Sequence, residues 1–125
     1  MKKVIVAGGR DFNNNEMLKE TLRTLWREIG RFEIVSGMAR GADLLAYNLG
    51  KTANLTVHEF PADWDKHGKS AGYKRNTQMA EFSDVLIAFW DGKSKGTKHM
   101  IDIAKQMQLD VRVVMYEMPE RVLLL

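Results

Sequence analysis

The sequence predicts an α/β fold, a single Rossmann-like three-layer domain with a five-stranded parallel sheet in the order 3-2-1-4-5. Three observations favour this class. Short β-branched apolar runs alternate with longer segments of helical periodicity along most of the chain. The runs Val4–Ala7 and Val85–Phe89 are continuously apolar, as in strands that are buried on both faces. The chain has 125 residues, 45% of them hydrophobic, which suits one domain with its own core.

The elements follow one another with short connections. The first helix begins at an Asn cap, with Asn13 as the cap and Glu16 three residues later, and Gly30 ends it. Its apolar residues recur every three or four positions and form one face: Leu18, Leu22, Leu25 and Ile29. The predicted strands cover 4–7, 33–35, 55–60, 84–90 and 111–115, and the other helices cover 42–52, 71–82 and 97–108. Residues 61–70 are predicted to form a long polar loop.

The domain is predicted to span residues 1–118, with an apolar tail at 119–125. The tail reads PERVLLL, and exposed apolar ends of this kind are uncommon on soluble monomers. It therefore either folds back on its own domain or packs on a second copy. Trp26, which lies beside the inward stripe of the first helix, widens the apolar surface. We expect a two-fold homodimer, the commonest closed symmetry.

Composition excludes several classes of site. The chain has no cysteine, which rules out a disulfide scaffold, a thiol nucleophile and any thiolate metal site. The three histidines lack metal-ligand spacing, so we expect neither a metal nor another cofactor. No apolar stretch approaches the ~18 residues of a membrane span. We therefore expect a cytoplasmic protein without a membrane partner.

The glycines indicate which edge of the sheet carries the function. Ligands of open parallel sheets bind beyond the carboxyl ends of the strands. Eight of the ten glycines fall in the loops that follow strands: Gly8, Gly9, Gly37, Gly41, Gly68, Gly72, Gly92 and Gly96. Three of these loops open a helix, where free backbone N–H groups suit a phosphate or carboxylate. The sequence thus predicts an anion site there, although no loop matches the Walker or GxGxxG pattern.

Charged side chains concentrate in the same loops. Arg10, Arg40 and Arg75 lie among glycines or at a helix start, where a guanidinium suits bidentate phosphate recognition. Lysines are also frequent there, and most of these fit solvated loop charges.

Acidic and aromatic residues complete the set. Asp11, Asp43 and Asp91 follow strand ends, where a carboxylate can accept from a ribose hydroxyl or orient an arginine. For Asp43, helix capping is an equally good interpretation. Trp64 either stacks on a base or only covers the loop.

Five motifs together resemble the SLOG superfamily, in particular its YspA-like (cpYpsA-related) branch, over roughly residues 1–116. They are GGRDF (8–12), SGMARGAD (36–43), PADW (61–64), AGYKRNTQM (71–79) and DGKSKGT (91–97). The resemblance implies a Rossmann-like protein of bacteria or phages that binds a nucleotide or nucleotide-derived ligand. The ligand loops it implies are Gly8, Gly9, Arg10 and Asp11; Ser36 and Gly37; Arg40, Gly41, Ala42 and Asp43; Arg75 and Asn76; and Gly96 and Thr97.

Two more distant relatives within this superfamily imply different activities. LOG-type phosphoribohydrolases, which cleave the base–ribose bond of nucleoside monophosphates, share an arginine at Arg75 and a Gly-Thr at Gly96-Thr97. Their glutamate corresponds to Met100, which cannot move a proton, and Asp91 or Asp102 could replace it only with a different geometry.

The second relative is the single-strand DNA-binding domain of DNA-processing protein A. Its SGLARGID-like segment is similar to residues 36–43, and its basic loops lie on the same sheet edge. A net charge of +3 is small for a nucleic-acid binder, however.

We therefore expect a nucleotide-binding sensor or sequestering module. Backbone N–H groups at Gly8-Gly9, Ser36-Gly37 and Gly96-Thr97 would cradle phosphate, which the three arginines would neutralise. A nucleotide N-glycosidic hydrolase and a single-stranded DNA binder are the alternatives, so the sequence leaves open whether the protein is an enzyme.

Overall fold

All strands of the sheet run parallel in the computed structural model, which describes residues 1–117. The order is β3-β2-β1-β4-β5, as the sequence predicts, and β4, the DVLIAFW strand, lies inside the sheet. The strands are β1 (Lys2–Gly8), β2 (Phe32–Ser36), β3 (Val57–Glu59), β4 (Val85–Trp90) and β5 (Asp110–Met115). The chain therefore reverses its winding direction between β1 and β4. This reversal leaves a crevice at the carboxyl edge.

The helices of the described residues flank the sheet on both faces. They are α1 (Asn15–Ile29), α2 (Ala42–Thr52), α3 (Trp64–His67), α4 (Ala71–Phe82) and α5 (Lys95–Gln106). The side chains of β1 alternate between two cores: Val4 and Val6 pack with α1 and α2, whereas Ile5 and Ala7 pack with α4 and α5. Both faces are covered, which explains the uninterrupted apolar sequence of the central strands.

Two predicted helix starts are wrong by one or two residues. The cap of α1 is Asn14, whose Oδ1 accepts the Met17 N–H at 3.0 Å, and not Asn13. The cap of α5 is Ser94, so the helix begins at Lys95 and buries Thr97 in its first turn. Both segments contain neighbouring residues of equal capping chemistry, and tertiary placement decides between them.

The loop after β3 is more regular than predicted. Asp63 caps the short helix α3 by accepting the Lys66 N–H at 3.0 Å, and a 3₁₀ turn (Gly68–Ser70) joins α3 to α4. This arrangement places Trp64 at the first position of α3.

The predicted tail at 119–125 lies outside the described residues, so the homodimer stays a prediction. Trp26 contacts Phe32 edge to face, with 5.5 Å between ring centroids, yet remains 41% exposed. Within residues 1–117, no helix is both long and apolar enough to span a bilayer.

Gly41 fixes the loop between β2 and α2 against the loop that follows β1. Its φ is +84°, and a Cβ there would overlap the carbonyl oxygen of Gly9 and approach Arg10 Cα to 2.8 Å. Ala42 N–H donates to the same Gly9 carbonyl at 3.4 Å. The start of α2 thus rests on the backbone of the neighbouring loop, and only glycine permits this contact.

We predict that Gly41→Ala lowers the free energy of unfolding by ~2 kcal/mol or more, since it combines a left-handed φ with steric overlap. Gly96→Ala is the matched control, because a Cβ at Gly96 meets no atom within 4 Å. In a helix that change should leave stability unaltered or raise it by up to ~1 kcal/mol. Urea unfolding of the two variants measures both effects, and equal losses would contradict this account of Gly41.

Candidate functional site

A cleft of about 520 Å³ lies at the carboxyl edge where β1 and β4 diverge. Eleven of the sequence-predicted site residues line it: Gly8, Gly9, Arg10, Asp11, Asp43, Trp64, Arg75, Asn76, Asp91, Gly96 and Thr97. They come from the loops after β1 and β4, from α3, and from the starts of α2, α4 and α5. The volume is within the range of small-molecule and cofactor sites.

The other four predicted residues lie beside the cleft or behind it. Gly37 and Arg40 line an adjoining groove of about 230 Å³. Ser36 is fully buried, and its hydroxyl donates to the Asp43 carbonyl oxygen (3.0 Å) and accepts the Met38 N–H (3.1 Å). Gly41 supports the backbone of Gly9. Ser36 and Gly41 are therefore structural supports of the site.

Arg75 is held in place by neutral acceptors. Its Nη1 donates to the Gly37 carbonyl oxygen, and its Nε donates to Asn76 Oδ1 at 3.1 Å. A Cβ at Gly37 would lie 2.7 Å from Arg75 Nη1 and 2.6 Å from Asp43 Oδ2. The missing side chain at position 37 thus lets the guanidinium and the carboxylate approach each other. Partial burial lowers the pKa of Arg75, but a guanidinium stays charged near neutral pH.

Asp43 is a buried carboxyl group that faces the cleft. Only 5% of the residue is exposed, and burial raises its pKa to about 6 despite the nearby charge of Arg75. Asp43 therefore changes its charge in a pH range in which an ordinary aspartate is already ionised.

Asp11 and Asp91 are each ordered by hydrogen bonds to one carboxylate oxygen. Asp91 Oδ1 accepts the backbone N–H groups of Lys93 and Ser94, both at 2.8 Å, and these donors lower the pKa of Asp91. Asp11 Oδ1 accepts the Tyr116 hydroxyl at 2.6 Å. Burial and the charge of Asp11 raise the pKa of Tyr116, so the phenol remains a donor. Both carboxylates are suited to accept from a ligand hydroxyl.

Some predicted backbone donors already have partners. Gly9 N–H donates to the Phe89 carbonyl oxygen (3.2 Å), and Thr97 N–H donates to the Ser94 hydroxyl (3.4 Å). At the start of α5, the amides of Lys95 and Gly96 are therefore the ones left for an anion. Asn76 Nδ2 donates to the Gly96 carbonyl oxygen at 3.3 Å and fixes this helix start against α4.

The floor of the cleft is apolar. Met79 and Met100 line it, and each is only 1% exposed. The position at which the phosphoribohydrolases carry a glutamate is thus part of the core. Asp102 is not among the lining residues and pairs with Lys98 at 2.8 Å on the surface. Of the two aspartates weighed as substitutes, only Asp91 faces the cleft, where backbone donors hold it.

Two aromatic side chains line the cleft. Trp64 is 50% exposed, and its ring lies 3.4 Å from where a Cβ of Gly72 would be. Tyr73 stacks on His99, with 4.3 Å between ring centroids. Among residues 1–117, no group of three or more His, Asp or Glu side chains could hold a metal ion.

Sequence reasoning missed four lining or supporting residues: Lys69, Tyr73, Ser94 and Tyr116. Tyr73 lies three residues before Asn76 on α4, so helical spacing could have found it. Tyr116 follows β5 at the same carboxyl edge, so the rule that selected the other loops applies to it too.

We predict that burial of Asp43 makes stability fall as pH rises from about 4 to 6. In this window the folded state keeps a proton that the unfolded state, with the usual pKa of 3.8, has lost. We compare the free energy of unfolding of the wild type with that of Asp43→Asn. The difference, wild type minus variant, should fall by about 2–3 kcal/mol between pH 4 and 6 and stay level above pH 6.

Urea unfolding at pH 4, 5, 6 and 7 measures this difference. Asp102→Asn is the control: the hydrogen bond from Lys98 lowers the pKa of Asp102, so its contribution is lost mainly below pH 4 and the difference between the wild type and Asp102→Asn should be nearly constant from pH 4 to 7. Parallel pH profiles for the wild type and Asp43→Asn would contradict the prediction.

The amino-acid sequence is similar to known proteins. The family model described as "YspA, cpYpsA-related SLOG family" matches residues 2–67, which include the first three motifs. Among curated proteins, the "Gene 61 protein" of Mycobacterium phage D29 is 33% identical over 118 residues, which cover 89% of this chain and 94% of that protein. The protein therefore belongs to the YspA, cpYpsA-related SLOG family.

Proposed function

We propose that the protein binds a nucleotide or nucleotide-derived ligand in the cleft and acts as a sensor or sequestering module. One observation carries the proposal: a single cleft is lined by a fixed, charged Arg75, by two ordered carboxylates, Asp11 and Asp91, and by an apolar floor. Family membership supports the same ligand class.

Each part of such a ligand has a suited partner. Arg75 and Arg10 offer guanidinium donors to a phosphate, and the Gly96 amide adds a helix N-terminus. Asp11 and Asp91 each keep a second carboxylate oxygen for ribose hydroxyls. Trp64 and Tyr73 provide aromatic surface for a base.

The proposal is tested by a thermal-shift screen of nucleoside monophosphates, cyclic nucleotides and diphosphate derivatives. A ligand at a hundredfold excess over its dissociation constant stabilises the folded state by ~2.7 kcal/mol. Stabilisation by at least one nucleotide, and not by inorganic phosphate alone at the same concentration, is the expected result. No response to any member of the screen would overturn the proposal.

We predict that Arg75→Ala weakens nucleotide binding by ~1.5–3 kcal/mol, the scale of charge-assisted hydrogen bonds. Lys95→Ala is the control and should change binding little, because Lys95 does not line the cleft and a solvated lysine is a screened charge. Calorimetric titration measures both, and unfolding of each free variant shows that it folds. Equal losses at the two positions would indicate a diffuse electrostatic surface instead.

We also predict binding without N-glycosidic hydrolysis. The cleft offers Met100 where the phosphoribohydrolases have a carboxylate, and Asp91 is engaged by two backbone donors that favour its charged, proton-free form. Incubation with AMP followed by chromatography should therefore give no free adenine above the buffer background. Release of adenine that Arg75→Ala abolishes would show that this cleft is hydrolytic after all.

A further inference from the structure

We propose that the groove beside the cleft is a second anion subsite, so that the ligand is a nucleotide carrying a diphosphate. This inference rests on the proposed function and specifies its ligand class. The first phosphoryl group would lie in the cleft, and the second would lie in the groove.

The charges of the two spaces differ. Three aspartates, Asp11, Asp43 and Asp91, balance the cationic side chains of the cleft. The groove is lined by Arg10, Arg40 and Arg75, and no Asp or Glu of residues 1–117 lines it. Its other walls are apolar or backbone, including Met38, Pro61 and Trp64. The side chains that line the groove therefore present a net positive charge to a ligand.

The three arginines lack acidic partners. Within the described part of the chain, no carboxylate oxygen lies within 4.0 Å of the guanidinium nitrogens of Arg10, Arg40 or Arg75. Arg112, by contrast, pairs with both Glu28 and Asp110. Burial lowers the pKa of Arg75, and the nearby charge of Asp43 opposes this shift. The positive charge of Arg10 lowers the pKa of Arg75 further, and a bound anion would relieve that repulsion.

The cleft and the groove adjoin and share two of the three arginines. Arg10 and Arg75 line both the cleft and the groove, whereas Arg40 lines only the groove. A ligand that fills both spaces thus places anionic groups on either side of the two shared guanidiniums. Two phosphoryl groups joined by one oxygen are adjacent anionic groups, and each can accept from a shared arginine.

The loop that carries Arg40 is fixed before any ligand binds. Met38 has a φ of +62°, uncommon for a residue with a side chain, and its N–H donates to Ser36 Oγ at 3.1 Å. Leu44 N–H donates to the Ala39 carbonyl oxygen, also at 3.1 Å. The loop is therefore held on both sides of Arg40, which lowers the ordering cost of binding.

The test compares AMP with ADP, which differ by one phosphoryl group, in the wild type and in Arg40→Ala. Calorimetry at fixed ionic strength should show that the wild type binds ADP at least tenfold more tightly than AMP. Arg40→Ala should remove most of this preference and change AMP affinity less than twofold. Arg23→Ala, an exposed arginine on α1 that lines neither space, is the control and should bind both nucleotides like the wild type.

Two further arms separate the outcomes. Diadenosine diphosphate carries a nucleoside on both ends of its diphosphate, whereas the diphosphate of ADP has a free end. Only a groove that is open beyond the second phosphoryl group can accept diadenosine diphosphate. A labelled oligothymidylate tests whether the groove binds single-stranded DNA. An electrophoretic mobility shift that depends on Arg40 and weakens steeply with salt, together with no preference for ADP, would assign the groove to single-stranded DNA and overturn the proposal.

The remaining results are also decisive. Equal affinity for AMP and ADP in the wild type would overturn the second subsite but leave nucleotide binding intact. The same conclusion follows if Arg40→Ala weakens both nucleotides equally. Binding of neither nucleotide would overturn this inference, and would overturn the proposed function too if the wider screen is also negative. Arg40→Lys should restore part of the ADP preference, which shows that the loss is one of charge and not of folding.

Discussion

The absence of a side chain at Gly37 is the constraint on which the rest of the site depends. Arg75 comes from α4 on one face of the sheet, and Asp43 comes from α2 on the other. Both reach the end of β2, where Gly37 has no side chain to keep them apart. Any larger residue there would displace one of them. Arg75 lines both the cleft and the groove, so the space left at Gly37 sets the shape of both.

Electrostatics then assigns different properties to chemically similar side chains. Burial raises the pKa of Asp43, whereas backbone donors lower that of Asp91 in the same cleft. Arg75 donates to neutral oxygens and forms no ion pair within the described residues, so its charge can act on a ligand. The site therefore combines a fixed cation with two ordered acceptors, which suits recognition of a phosphorylated sugar. The methionine floor supplies no group that could carry a proton.

Much of the fold and of the candidate site could be predicted from the sequence. The features that could not be predicted depend on tertiary contacts. The continuous apolar strands predict a parallel sheet covered on both faces, and the carboxyl-edge rule then selects the correct loops. Two helix starts were misplaced because neighbouring residues have nearly equal preferences for the N-cap position. These residues are Asn13 and Asn14 in one segment and Ser94 and Thr97 in the other. The contact between Tyr116 and Asp11 joins residues 105 positions apart, and no local pattern encodes it.

The separation of Arg40 from the cleft also had no signal in the sequence. Arg10 and Arg40 both follow a strand and lie near glycines, so composition treats them alike. The turn at Met38 and the contact of Gly41 with the neighbouring loop fix the backbone around Arg40. As a result, Arg40 lines the groove but not the cleft. The three-dimensional placement of this loop, rather than its residue types, thus decides that Arg40 lines the groove and not the cleft.

The central claim is that a nucleotide binds at the carboxyl edge of the sheet. Amide chemical-shift mapping of the ¹⁵N-labelled protein during titration with AMP tests it most directly. The account predicts saturable shifts at Gly9–Asp11, Gly72–Asn76 and Lys95–Gly96, with little change at Gly30–Arg31 and Ala53–Asn54 on the opposite edge. Shifts confined to the opposite edge, or none at saturating AMP, would contradict it.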